Sequence, residues 1–484
     1  MILPPDQPSA SDNPFLVGTA DHILTIQGLD TWAETAASEL LRHGVRPGHV
    51  VIADLPNSPA FAAVLRATWD IGAVFAPMNP QLTAREKNDI IALTNPQLVV
   101  AATPPMFRVS TLVWPDPFGA PDGLYWFRGN PMPEPLTSET DRLLLFTSGS
   151  TGRPKAVVLT EDNVNAGIAA VAYHFALTSE DRTLALMPWS HGHGLFATLL
   201  APYRSGGTVV LPAVGETRRP HTLLNTVRPT WITSTPTQLA MLVSGLEHSD
   251  TTGPRLRFLR TASAPLPHAV AERAEKLLAC PVAEALGLTE TSHQAAANPP
   301  SWNRVLGTVG TATGTEFRLA GDIVIGGQEL QVKGPAVFRA YLGDPNATAA
   351  AFTPDGWFRT LDVARWTDDG QLQLLGRLSE IVNRGGYKIA PVEVETVLCE
   401  HPEVVSALVT GLDHPHLGQE LAAVVQTRSG SNVTRRDLLR HCRNSLADYK
   451  IPGELRIVTA LPQLPNGKPS RRLAATLFKA DARQ

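Results

Sequence analysis

Between Phe146 and Ala156 the chain reads FTSGSTGRPKA. Four hydroxyls (Thr147, Ser148, Ser150, Thr151), two glycines (Gly149, Gly152) and a lysine, Lys155, follow directly on the apolar run RLLLF. A strand that dissolves into small residues with free backbone N–H groups and closes on a cation is suited to wrapping the outer phosphates of a nucleotide. The spelling is not that of a Walker A loop, in which the lysine directly follows the second glycine and a metal-binding hydroxyl comes next. Here Arg153 and Pro154 intervene and Ala156 follows. It is not the G-x-S-x-G nucleophile elbow either, because Ser148 stands where the first glycine belongs. On composition alone, a polar surface hairpin is an equal reading.

Further segments recur in order downstream: LGLTETSHQ, GWFRTLDVARW, GRLSEIVNRGGYKIAPVEVE and LPQLPNGKPSRR. Taken singly, each has a plain reading. The TE pair is a solvated helix start, Asp362 a turn aspartate, and Lys468 a solvated charge on a Pro-Asn-Gly turn. Together with FTSGSTGRPK they resemble the adenylate-forming superfamily of acyl-CoA synthetases, luciferases and peptide-synthetase adenylation domains, from about residue 30 to 479.

That resemblance implies a chemistry and a cast. Activating a carboxylate with ATP brings two anions into contact, so the site must neutralise charge and hold an in-line geometry. By similarity, Thr147, Ser148, Gly149, Ser150, Thr151, Gly152 and Lys155 surround the β- and γ-phosphates, and Thr289 meets the α-phosphate. Glu290 holds Mg²⁺, a hard, oxygen-seeking ion. Ser263, Ala264, Pro265, Glu284, Ala285 and Leu286 belong to the nucleotide site, with Asp362 and Arg377 on the ribose. Lys468 bridges the carboxylate and the α-phosphate, as suits a point charge on a flexible stem. After the small domain rotates, Gly385, Gly386 and Tyr387 line the CoA tunnel, where paired glycines allow close backbone approach.

The acid is read from histidines. MPWSHGHGL supplies His191 and His193, and TETSH adds His293. By resemblance His191 closes over the carboxylate. His-x-His without a third ligand does not make a metal site, so these are expected as pocket residues, with one or two of them structural as the plainer reading. His193, His293 and Ser263 would make the acyl pocket small and polar, able to hydrogen-bond a second carboxylate that an apolar tunnel would leave unpaired. HGHGL, ASAPL, TETSHQAAANP and NRGGYKIAP look most like oxalyl-CoA synthetases, which implies oxalate or a comparably small dicarboxylate. Two alternatives stay open: a divergent adenylating enzyme passing nitrite or an aryl acid to an amine, and a non-catalytic nucleotide-binding homologue. Departures from the family pattern fall at Ala156, Leu286, Leu361, Ser379, Trp189 and Ser190; the first and third stand where glycine is common, and Leu286 where a tyrosine often stacks on adenine.

The elements that must carry these residues are legible from patterning. VVIAD, AVFAP, QLVVAA, RLLLF, AVVLT, TLALM, TVVLP, WITST, LRFLRT and PVAEA read as strands without polar alternation, separated by helical stretches over Ser58 to Ile71, from Thr83, and over EDNVNAGIAAVAYHF after the cap Thr160. Residues 103 to 141 are Pro-rich and read as an irregular surface crossing. The expected fold is α/β: a large N-terminal adenylation domain (1–375) with layered, mostly parallel sheets, and a small mobile C-terminal α+β domain (376–484) turning at Gly376 and Arg377. With 484 residues the chain is long enough for both. A net charge of −4 gives no electrostatic case for nucleic acid or an anionic membrane. Three scattered cysteines make no disulfide framework. Neither a signal peptide nor a membrane span is read, so the expected partners are a small acid, ATP and CoA in the cytoplasm.

Overall fold

The computed structural model describes residues 14–18, 23–102, 124–128, 136–148, 154–213, 215–248, 255–428, 430–463 and 469–479. Four sheets organise them. The first runs from Ala340–Tyr341 through Pro154–Thr160, Asp141–Ser148, Val74–Pro77, Val50–Asp54 and Leu98–Ala101 to Tyr125–Arg128. Its central strands are parallel, and their residues are buried on both faces, which is why the sequence shows no alternation there.

Helix starts follow the hydroxyls. Ser58 accepts from Phe61 N at the head of Pro59–Asp70, and Thr83 and Thr160 open capping boxes before Ala84–Thr94 and Glu161–Ala172. The last helix ends at Ala172 rather than running to Phe175. Ala176 takes a left-handed φ of 45°, and Phe175 turns into the core.

Among the described residues, the crossing expected to be irregular includes the strand Tyr125–Arg128, antiparallel to Leu98–Ala101. The segment YWFR has the aromatic content that favours a pleated edge, and its Trp126 is wholly buried with its ring 6.0 Å from that of His43. Residues 103–123 and 129–135 lie outside the described residues.

The second sheet is parallel from Val282–Leu288 through Phe258–Ala262, Trp231–Ser234, Arg182–Leu184 and Thr208–Leu211 to Pro14–Gly18. His293–Ala297 and Thr311–Ala312 close one edge antiparallel, and Ile23–Thr25 the other. One face packs Leu259, Ile232 and Val282 into an apolar cluster, and the other packs Phe258, Trp231, Ala262 and Phe175. A third, antiparallel sheet is built from Glu316–Val324, Gly327–Lys333, Phe358–Trp366 and Leu372–Arg377.

The C-terminal sheet orders Tyr387–Ile389, Val382–Arg384, Gly418–Thr427 and Val404–His414, with Glu454–Val458 parallel to Gly418–Thr427. Helices Pro391–Cys399 and Arg435–Ser445 cover a separate core centred on Val394, Leu421 and Leu438. Arg471, at the head of the helix Arg471–Lys479, pairs with Glu395 and Glu380 and ties the end of the chain to this unit.

Candidate functional site

The flanks of FTSGSTGRPKA pair with each other. Asp141–Ser148 pairs antiparallel with Pro154–Thr160, setting Thr147 opposite Lys155 and Ser148 opposite Pro154. Residues 149–153, and so Gly149, Ser150, Thr151 and Gly152, lie outside the described residues. The base of the hairpin is pinned by Arg339, whose Nε and Nη2 donate to the two oxygens of the buried Asp141 at 2.9 and 2.7 Å. Such a bidentate fork fixes direction as well as distance. Ala156 is buried among Leu144, Val158 and Leu342, and its carbonyl accepts from Leu342 N at 2.8 Å. The methyl at this position is therefore core packing.

Lys155 does not stand alone. Its Nζ lies 4.6 Å from the centre of the Tyr341 ring, and the Tyr341 hydroxyl donates to Glu290 Oε1 at 2.9 Å. Glu290 sits in the short turn Thr289–Thr291 between the strands Val282–Leu288 and His293–Ala297, with its carbonyl accepting from Phe338 N. Burial, reinforced by the Glu290 carboxylate, holds the Tyr341 phenol far above its ordinary pKa, so it remains a donor. The two ribose candidates also meet. Antiparallel register sets Asp362 opposite Arg377, and Arg377 Nε donates to Asp362 Oδ1 at 3.0 Å. Burial raises the Asp362 carboxyl, and the Arg377 guanidinium offsets only part of that. Asp362 raises Arg377 in turn, and the fields of Glu380 and Glu290 add to it, so the ion pair and the Glu290 turn share one neighbourhood. Leu361, before the aspartate, takes φ +62° with its side chain exposed. A non-glycine residue there carries on the order of 1 kcal/mol of strain.

The acid residues gather on the second sheet. His193 Nδ1 lies 3.1 Å from Ser263 Oγ, and its Nε2 lies 2.7 Å from Thr233 Oγ1. The rings of His193 and His293 stack with centroids 5.0 Å apart. Backbone geometry brings them together: Ser263 and His293 both take left-handed φ, 81° and 79°, after Ser292 at 48°. Gly287 lets His293 in, since a Cβ there would meet the His293 carbonyl oxygen at 2.3 Å and its Nδ1 at 2.9 Å. His191 precedes the short helix Gly192–Leu195, where a Cβ on Gly192 would lie 3.6 Å from that of His293.

Between the histidines lies a residue that the motif reading passed over. Arg260 is wholly buried and donates to Gln294 Oε1, Thr233 Oγ1, His193 Nε2 and His293 Nε2 at 3.1, 3.1, 3.0 and 2.8 Å. Burial pulls its guanidinium down to about 9, which leaves a cation at neutral pH. Its signal in the sequence was a charge inside the strand run LRFLRT, where full burial is rare. Tyr341 was the other omission, and nothing in its own segment marks it.

The remaining candidates divide. Ala264 and Pro265 are exposed beside Ser263. Glu284 is buried, with Oε1 accepting from Gly307 N at 2.8 Å, and burial pushes its carboxyl up to about 7. Ala285 and Leu286 point into the core, Leu286 into the main cluster. Trp189 is likewise a core residue, 5.5 Å from the Phe61 ring, with Nε1 donating to Thr198. Ser379 lies in the turn Leu378–Glu380. Gly385 and Gly386 make the left-handed turn (φ 58° and 91°) before Tyr387, whose ring stacks on Tyr449 at 4.3 Å. Lys468 lies outside the described residues; its flanks Gln463 and Pro469 pair as an isolated bridge.

An ion pair, a carboxylate turn and a lysine hairpin supplied by three sheets suit a protein that grips a nucleotide's phosphates and ribose together. Comparison with known proteins places it. The chain belongs to the AMP-binding enzyme family, which matches residues 6–342, and the AMP-binding enzyme C-terminal domain matches residues 393–468. It is 33% identical to the oxalate–CoA ligase of Arabidopsis thaliana, over 94% of this chain and 93% of that protein. It is also 33% identical to the sulfoacetate–CoA ligase of Cupriavidus necator, over 95% and 94%. Among solved structures, ATP-bound MatB from Rhodopseudomonas palustris superimposes with a TM-score of 0.82 at 25% identity, covering 97% of each chain.

Proposed function

We propose that the chain is an ATP-dependent acid–CoA ligase acting on oxalate or a comparably small dicarboxylate. One carboxylate oxygen of the acid attacks the α-phosphorus and pyrophosphate leaves; the CoA thiol then attacks the acyl carbon and AMP leaves. The observation that carries the reading is that His293, stacked on the His193 ring that reaches Ser263, follows Glu290 by three residues at the turn between Val282–Leu288 and His293–Ala297. Carboxylate and nucleotide sites would thus meet at this turn. The names of the two relatives support it, because oxalate and sulfoacetate are both small acids with a second acidic group.

Lys155 would neutralise the departing pyrophosphate, with Tyr341 beneath it fixing the height of its ammonium. Asp362 would accept from the ribose hydroxyls, with Arg377 holding the carboxylate in place. Among the described residues no cluster of three acidic, histidine or cysteine side chains makes a closed metal site. Glu290 is engaged by Tyr341 through one oxygen, leaving the other for a cation. A lone carboxylate fits Mg²⁺, which keeps waters and takes phosphate oxygens; when bound, that ion would neutralise phosphate charge. Lys468 would bridge the acid and the α-phosphate, and Gly385, Gly386 and Tyr387 would approach for the thiol step. A panel of oxalate, malonate, acetate, benzoates and nitrite, read by pyrophosphate release with and without CoA, tests this. Release is expected with oxalate or malonate. Release with nitrite alone would end the reading.

A further inference from the structure

Arg260 occupies an unusual place for a charge. It projects from the middle of the strand Phe258–Ala262 on the face that carries Phe258 and Ala262 into an apolar cluster, and its guanidinium lies 5.9 Å from the Phe175 ring. No carboxylate pairs with it among the described residues; its hydrogen bonds all go to uncharged side-chain oxygens and to imidazole nitrogens. Burying a cation without a counter-ion is costly, and its neutral partners offset only part of that cost.

The direction of the bonds shows where the charge is spent. A guanidinium only donates, so Nε2 of His193 and Nε2 of His293 must both accept from it. Each ring therefore carries its hydrogen on Nδ1. For His193 that hydrogen faces Ser263 Oγ at 3.1 Å, so the serine hydroxyl is free to donate in its turn. Gln294 Nε2 donates to Ala170 O at 2.7 Å and holds its Oε1 toward Arg260, fixing the fork from behind. Arg260 thus polarises two imidazoles and, through His193, leaves the Ser263 hydroxyl as a donor.

We propose that Arg260 is the specificity-determining positioning residue of the acid pocket: its charge, relayed through His193 and His293, is the counter-charge for a second anionic group on the acid. The pocket then selects small dianionic acids over monoanions of the same shape. This rests on the ligase reading for its substrate, but it concerns binding and can be measured apart from catalysis.

The test compares oxalate with its near-isosteric monoamide oxamate, and malonate with malonamate, in the wild type, Arg260→Gln and Arg260→Lys. Binding is read by calorimetry without ATP, and kcat and KM by pyrophosphate release. The wild type is expected to favour the dianion at least ~10-fold in binding. Arg260→Gln should erase that preference, raising KM for oxalate by at least ~10-fold while moving oxamate less than ~3-fold. Arg260→Lys, which keeps the charge but loses the fork, should fall between. If the glutamine variant weakens both acids equally, or if the wild type discriminates less than ~3-fold, the proposal is wrong. Should the lysine variant alone fold, retention of the full wild-type preference and KM would also overturn it. A wild type that binds the dianion selectively yet never releases pyrophosphate would sink the ligase reading and leave this inference standing.

Discussion

Tyr341 joins the charges of Lys155 and Glu290, which the proposed function assigns to phosphate handling. Its ring lies under Lys155 and its hydroxyl donates to Glu290. Tyr341→Phe keeps the ring and removes only the donor. A hydrogen bond to a charged group contributes about 1.5–3 kcal/mol, so the Mg·ATP-dependent rate should fall roughly 10- to 100-fold with the fold intact. Pyrophosphate release at varied Mg²⁺ checks this, and an unchanged rate would mean that the Tyr341–Glu290 bond is idle. At this scale, linear motifs were good at naming charges and poor at naming their partners. Lys155, Glu290, Asp362 and Arg377 stood in recognisable strings, and the structure pairs Asp362 with Arg377. Tyr341 acts only because a turn 51 residues away is folded against it. Arg260 matters only through histidines on two other segments.

Elements explain the departures that motif comparison could only note. Ala156 fills core space in its strand, Leu361 takes a left-handed turn that glycine would adopt without strain, and Leu286 and Trp189 pack into the interior. The strand Val282–Leu288 carries a pH-sensitive charge as well. Burial raises Glu284 from 4.5 to about 7. Its folded-state pKa thus exceeds its unfolded one: the stability it contributes is complete below about 4.5 and is lost as pH rises through 7. By linkage that loss is roughly 3 kcal/mol. Glu284→Gln keeps an acceptor for Gly307 N–H and should be immune. Urea melts of both proteins at pH 5 and 8 should show the variant gaining on the wild type at the higher pH; parallel pH profiles would contradict the buried-carboxylate assignment. The strands were legible because parallel strands buried on both faces leave unbroken apolar runs; Thr160 caps as expected, and Ser58 and Thr83, read only as helix starts, are caps as well. Tyr125–Arg128 was not, because a four-residue edge strand inside a Pro-rich stretch is too short to show a period.

Across the molecule, the sites come from different sheets. The hairpin with Lys155 belongs to the first, the histidines and Arg260 to the second, Asp362 and Arg377 to the third, and the Gly385–Tyr387 turn to the C-terminal sheet. Such a division suits a two-step reaction in which one set of groups activates the acid and another delivers the thiol. The most direct measurement follows the oxygen atoms. When a carboxylate attacks phosphorus and the resulting adenylate is opened at carbon, one carboxylate oxygen stays with AMP. With ¹⁸O-labelled oxalate, ATP and CoA, mass spectrometry of the products should find AMP carrying one labelled oxygen in step with thioester. Unlabelled AMP, or label appearing only in inorganic phosphate beside ADP, would contradict adenylation by this chain.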